Sequence, residues 1–277
     1  MSELESLYKN KPIILWVEDQ LTRAWLHHLW QDADIGLLVA GGNDAVFGAV
    51  KDAREANHTN VFGFRDRDFI ASNQAHWLTP SKNPTVFVPE AHEVENLLLD
   101  FNGLAALNAN YNPHPRTAEQ IYVRAHQHAT SGLWWMAVRA TISDVRMEVT
   151  GDFPSHPRLG NPVLSSLADA QQDLERRLLH SDWSARMRTE VMALDARWIT
   201  ARLTQHEARL RDQLSDESWR WGWSGKELFS HVAGFLGCAV PDLAKGLAEH
   251  QRAMGTIDPV MTGLRAALRK RTGLQAW

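Results

Sequence analysis

Cysteine is nearly missing from this sequence: Cys238 is the single one among 277 residues. That excludes a disulfide framework within one chain and leaves a cysteine-based zinc site short of ligands. Long apolar runs are missing too. None reaches the roughly 18 residues of a membrane-crossing helix, and the opening text MSELESLYKNK has no apolar core of the secretory type. Both absences point to a cytoplasmic protein. Charge of one sign is also lacking, with 29 Lys and Arg against 33 Asp and Glu for a net charge of −4. No global positive field therefore advertises nucleic-acid binding, although a local basic groove fits within such a total.

What is present is the composition of an ordinary globular chain, 44% hydrophobic and 22% charged, long enough to bury a substantial core in one or two domains. The 12 tryptophans are many for this length. Trp25, Trp30, Trp134, Trp135, Trp183 and Trp198 fall in helical text and read as packing residues. Base stacking by Trp219, Trp221 or Trp223 is the other use such side chains have.

The first hundred residues alternate between two textures. PIILWV (12–17), IGLLVA (35–40), NVFGF (60–64) and TVFVP (85–89) read as short strands. Between the first two, Leu21, Trp25, Leu26, Leu29 and Trp30 recur at helical spacing, and NDAVFGAVKDAREA (43–56) reads as a helix opened by an asparagine cap. Continuously apolar strands alternating with helices predict a parallel sheet covered on both faces. Right-handed crossovers then align the carboxyl ends of the strands along one edge, where sites form in such folds. Beyond about residue 100 no β-rich run occurs. Helical spacing or caps mark 116–129, 131–147, 163–180, 183–214, 225–237, 240–253 and 258–271, interrupted by the loop text GDFPSHPRLGNP (151–162). The expected organisation is an α/β domain over 1–105 and a helical region over 106–277.

Acids collect at the predicted edge. Glu18 ends the first strand, Asp66 and Asp68 follow the third in VFGFRDRDF, and Glu95 begins a helix after the fourth. An Asp-x-Asp pair leaving a strand presents both carboxylates to one side, because alternate side chains share a face. Like charges that close repel unless a positive group stands beside them. Clustered carboxylates without cysteine or paired histidines are the ligand set of a hard cation, Mg2+ or Mn2+. The same aspartates also read as loop acids paired with Arg65 and Arg67.

Several sharper motifs fail. GWSGKE has Arg220 where a phosphate-binding loop of the Walker type needs glycine, and Glu227 where it needs Ser or Thr. It is no nucleophile elbow either, because Lys226 takes the place of the last glycine. DRDF lacks the glycine and distal glutamate of an EF-hand loop. His126 and His128 in HQH point to different sides of a helix and read as surface or packing residues. The basic runs ERR (175–177) and RKR (269–271) read as solvated helix faces, as contacts to a phosphate backbone, or, for the second, as a complement to a helix end.

Glutamate at the end of strand one followed by Asp-x-Asp after strand three resembles the TOPRIM domain of topoisomerases, primases and related nucleases. LLVAGGNDAV, VFGFRDRDF, EVENLLLD and WSGKELFSHV (223–232) are similar to motifs of a narrower group, the stand-alone TOPRIM proteins related to the OLD-family nucleases of phage defence. The likeness is clear over residues 13–100 and thin beyond. It implies a Rossmann-like parallel-sheet TOPRIM domain and Mg2+- or Mn2+-dependent hydrolysis of phosphodiester bonds in DNA or RNA, tRNA among the candidates. It further implies Glu18, Asp66, Asp68 and Glu95 as metal ligands, with Glu18 as ligand or general base. Lys226, and after it Arg67, would be the cation beside the transition state, and Gly41, Gly42 and Lys226 would contact substrate. Such proteins act as toxic antiphage effectors, often beside an ATPase partner chain. The sequence departs from the family pattern Val-Glu-Gly-x-x-Asp: in VEDQLT, Asp19 stands for the glycine and Thr22 for the aspartate. That departure motivates an alternative, a degenerate TOPRIM module that binds a partner or nucleic acid without cleaving.

Overall fold

The structure, a computed structural model, describes residues 3–69, 84–148, 157–179, 194–236 and 242–275. It divides into two compact units, one of residues 1–121 with 233–277 and one of residues 122–232.

The first unit is built on four parallel strands: β1 (Ile13–Val17), β2 (Ile35–Val39), β3 (Val61–Phe64) and β4 (Val86–Phe87), in the order β2-β1-β3-β4. An α/β fold with a parallel sheet and a helical region is therefore what forms. Ile13, Ile14, Leu15 and Val17 of β1 and all four residues of β3 are buried, as strands covered on both faces require. Register aligns the strand ends. Val17 pairs with Val39 and with Phe64, and Phe64 pairs with Phe87. Whatever follows these residues must emerge along one edge.

Helices α1 (Glu3–Asn10), α2 (Gln20–Trp30) and α3 (Asn43–Glu55) accompany the first strands. Gly63 lets α3 come close to β3, since a Cβ there would lie 2.6 Å from Cγ1 of Val46 and 3.1 Å from Cγ2 of Val50. After β4 a short 3-10 turn (Val94–Leu98) leads into α4 (Phe101–Tyr111). α5 (Ala118–Ser131) then runs from the first unit into the second.

In the second unit, α6 (Leu133–Glu148), α7 (Leu167–Leu178) and α8 (Ala196–Ser215) pack together, followed by the single turn α9 (Trp219–Gly222) and by α10 (Gly225–Phe235). Trp219 and Trp223 are fully buried, and the Trp135 indole donates to the Pro157 carbonyl at 2.9 Å. Packing is thus the use these side chains have. Parts of the expected loop over 151–162 and of the expected helices over 183–214, 225–237 and 240–253 lie outside the described residues, as do Trp183 and Cys238.

The expected boundary near residue 105 is not where the fold divides. Helices α11 (Leu243–Met254) and α12 (Pro259–Arg271) belong to the sheet unit. α11 packs on α2, with the buried Trp25 indole donating to Gln251 Oε1 at 3.2 Å. On α12, Arg265 and Arg269 meet the Asp32 carboxylate at 2.8 and 2.9 Å, and Arg269 also meets Asp34 at 3.0 Å. Burial alone would raise the Asp32 carboxyl, but the hydrogen bonds and charges of Arg265 and Arg269 and the Asp34 amide hold it below its ordinary value. Among the described residues no helix is long and apolar enough to cross a membrane.

Candidate metal centre

The carboxyl edge of the sheet collects the acids that the sequence singled out. Glu18 follows β1 directly. Asp19 turns the chain at once into α2, because its Oδ1 accepts the Thr22 amide at 2.8 Å as the N-cap. Asp19 thereby caps α2. The sheet ladder continues past β1, with the Ala40 amide donating to the Val17 carbonyl and the Gly41 amide to the Glu18 carbonyl, both at 2.9 Å. This draws the Gly41–Gly42 turn against Glu18. Gly41 takes a left-handed φ of 96°, which a side chain would strain, while a Cβ at either glycine would meet nothing within 4 Å. Gly42 is the N-cap of α3 and makes no side-chain cap, so Asn43 does not cap the helix as expected. The Asn43 amide instead donates to Asp68 Oδ2.

Two bonds tie the loops after β1, β3 and β4 in series. The Asp66 amide donates to Glu18 Oε1 at 2.6 Å, and Asp66 Oδ1 accepts the Val94 amide at 2.8 Å. Glu18 is 9% exposed, Asp66 3% and Glu95 6%. Three carboxylates thus sit at one buried edge.

The Asp-x-Asp pair is not presented by an extended strand. β3 ends at Phe64, and Asp68 takes a left-handed φ of 49°, so the two carboxylates reach different partners. The Asp68 amide donates to the His92 carbonyl at 2.7 Å. The Phe69 ring meets the His92 imidazole edge-on, 4.6 Å between centroids. One ligating atom each from Asp68, His92 and Glu93 lie within 4.8 Å of one another. The Glu93 side chain accepts the Asn96 amide and its own amide donates to Asn96 Oδ1 at 2.8 Å, a reciprocal cap that fixes this loop.

His92 and Glu93 were missed in the sequence. Their signal was the run HEVE after the fourth strand, where attention had gone to Glu95 alone. Of the other expected site residues, Arg67 lies half-buried between the aspartates. Lys226 belongs to the second unit, exposed in the first turn of α10. His126 is turned to the Leu214 carbonyl at 3.1 Å, and His128 is stacked on His231 at 3.8 Å, so the two share no ligand.

No family model matches the chain, and no curated protein matches it.

Proposed function

We propose that the chain is a divalent-metal-dependent phosphodiester hydrolase of the TOPRIM type, a nuclease acting on DNA or RNA in the cytoplasm. The bond between the Asp66 amide and Glu18 carries the reading, because it joins the ends of β1 and β3 and gathers buried carboxylates at one point. Taking a carboxylate out of water costs several kcal/mol (about that much per ion) even after relaxation, and a divalent cation at this edge would offset part of that cost. The donor chemistry fits one: Asp68, His92 and Glu93 lie close enough together to share an ion, the imidazole favouring Mn2+, and the oxygens of Glu18, Asp66 and Glu95 at the same sheet edge are of the type that Mg2+ or Mn2+ takes. When bound, the ion polarises the scissile phosphate and lowers the pKa of the attacking water.

The chain's own groups do the remainder. Glu18 orients that water and accepts its proton. Gly41 and Gly42 leave the amino end of α3 without side-chain cover, which favours a phosphate oxygen. Arg67, on the same loop as the two aspartates, supplies positive charge to the pentavalent transition state. On the family resemblance, the activity is that of a toxic antiphage effector working beside an ATPase partner chain.

One observation favours the second reading, a binding module without cleavage. Asp19 is spent on capping α2, and the family's aspartate position holds the buried hydroxyl of Thr22, so one ligand for a second ion is lacking. Incubation with mixed tRNA, plasmid and single-stranded DNA, in Mg2+ or EDTA, separates the two. Metal-dependent cutting that Asp66→Ala abolishes supports the nuclease. Retention of substrate without cutting supports the binding module, and cutting that survives in Asp66→Ala removes the assignment.

A further inference from the structure

The amino ends of the strands carry a second group of charges, away from the acids. Pro12, Asn60 and Thr85 each stand just before a strand, and a cavity of about 480 Å3 opens there, lined by Arg54, Arg271, Thr59, Asn60, Thr85 and Thr272. Arg54, on α3, donates through Nε and Nη2 to the Val61 carbonyl at 3.0 and 2.9 Å and lies 4.9 Å over the Phe62 ring. Arg271, in the last turn of α12, donates through Nη1 to the Pro84 carbonyl and lies 5.0 Å over the Phe87 ring.

Both guanidiniums are therefore held by neutral groups. Among the described residues neither forms an ion pair, whereas Arg265 and Arg269 of the same α12 pair with Asp32. Burial pushes both below the ordinary arginine range, and for Arg54 the charge of Arg271 adds to it. Capping of α12 does not account for Arg271. The carbonyls of Leu268, Arg269 and Lys270 already accept the amides of Thr272, Gly273 and Leu274. Two like charges sharing one cavity call for an anion, and two guanidinium forks match a group with two charges and several oxygens.

Arg54 and Thr85 also border an adjoining cavity of about 460 Å3, to which Phe47, Val50 and Val86 contribute. Phe47 is 57% exposed. The Glu55 carboxylate on its rim is engaged by Lys51 at 3.9 Å. We propose that Arg54 and Arg271 bind an organic phosphate monoester, its phosphate between the guanidiniums and the hydroxyls of Thr59 and Thr85 and its apolar or planar body against Phe47 and Val86. The site is separate from the acid edge and does not depend on the nuclease reading.

Titration calorimetry on the full chain in EDTA, at fixed ionic strength, tests this with adenosine monophosphate, inorganic phosphate, adenosine and an oligonucleotide without a terminal phosphate. The monophosphate is expected to bind at millimolar concentration or below, inorganic phosphate more weakly, and adenosine not at all. Arg54→Gln and Arg271→Gln should each weaken monophosphate binding about tenfold or more, the loss of one charge-assisted contact. Arg271→Lys should recover part of the loss, and Asp66→Asn should change nothing. In the parent chain, which needs no variant to fold, the monophosphate should shield Arg54 and Arg271, but not exposed Arg23, from phenylglyoxal. Equal binding of adenosine, unchanged affinity in both glutamine variants, displacement by the oligonucleotide, or absent shielding would each overturn the proposal.

Discussion

Asp66→Asn separates the two jobs of one side chain. Its Oδ1 accepts the Val94 amide at 2.8 Å, and its charge stands beside Glu18, whose Oε1 takes the Asp66 amide at 2.6 Å. Asparagine keeps an oxygen for Val94 and discards the charge. Neighbouring carboxylates at an effective dielectric of about 20 repel by a few kcal/mol, about 4 kcal/mol at the closest approach. The amide donors offset part of this, so metal-free Asp66→Asn is expected to be about 1–2 kcal/mol more stable than the parent. Asp66→Ala also strips the Val94 amide of its acceptor and should fall about 1–3 kcal/mol below Asp66→Asn. Mg2+ at about a hundred times its Kd adds about 2.7 kcal/mol to a protein that binds it only when folded. For a unit of roughly 150–250 residues that is about 5–11 °C in Tm. Thermal unfolding of parent and variants, in EDTA and in Mg2+ or Mn2+, reads every one of these differences. A parent chain whose Tm ignores both ions would refute the reasoning, as would an Asp66→Asn variant that responds equally or is less stable in EDTA.

Asp32→Asn should cost about 3 kcal/mol in urea unfolding, because it leaves Arg269, 7% exposed, with the 40% exposed Asp34 as its charged partner. Since the folded Asp32 carboxyl is held below its ordinary 3.8, its contribution is present above that value and lost as pH falls through the lowered one. The acid limb of stability against pH should therefore flatten in the variant. Burial, with the charges of His231 and Arg124, pushes His128 down to about 4 from an ordinary 6.5. The unfolded chain binds a proton through that interval that the folded one does not, so stability should drop as pH falls from 6.5 to about 4. Tm curves of parent and His128→Phe that run parallel over this interval would contradict it. Gly63→Ala forces a methyl to 2.6 Å from Val46 and should destabilise by about 1–3 kcal/mol in urea, with Val46→Ala restoring part.

The sheet and its acid edge were legible because they depend on local text. Short continuous apolar runs rich in β-branched and aromatic residues, such as IILWV and VFGF, read as strands buried on two faces, and the residue after each run then comes out at the carboxyl edge. Cap assignments were less legible. Asn43 and Asp19 both stand at helix starts, and local pattern does not reveal that Asp19 caps while the Asn43 side-chain amide reaches across to Asp68. His92 escaped because it joins Asp68 through a loop whose path is set by the Asp68 amide on its own carbonyl. The return of α11 and α12 to the sheet unit rests on Gln251 meeting Trp25 and on Arg269 meeting Asp32, pairings between distant parts of the chain that no periodicity encodes.

β4 has consequences out of proportion to its two residues. It meets β3 through the pairs Gly63–Val86 and Phe64–Phe87, whereas β1 and β2 share five. The loop that carries His92, Glu93 and Glu95 follows this short strand and is held by its bonds to Asp66 and Asp68, whereas Glu18 follows the strand with the most pairings in the sheet. The pairing of β4 with β3 should therefore open at a smaller free energy than that of β1 with β2. Hydrogen exchange would report that asymmetry as faster loss of the Gly63 and Arg65 amide protons, bonded to Thr85 and Phe87, than of those linking β1 to β2.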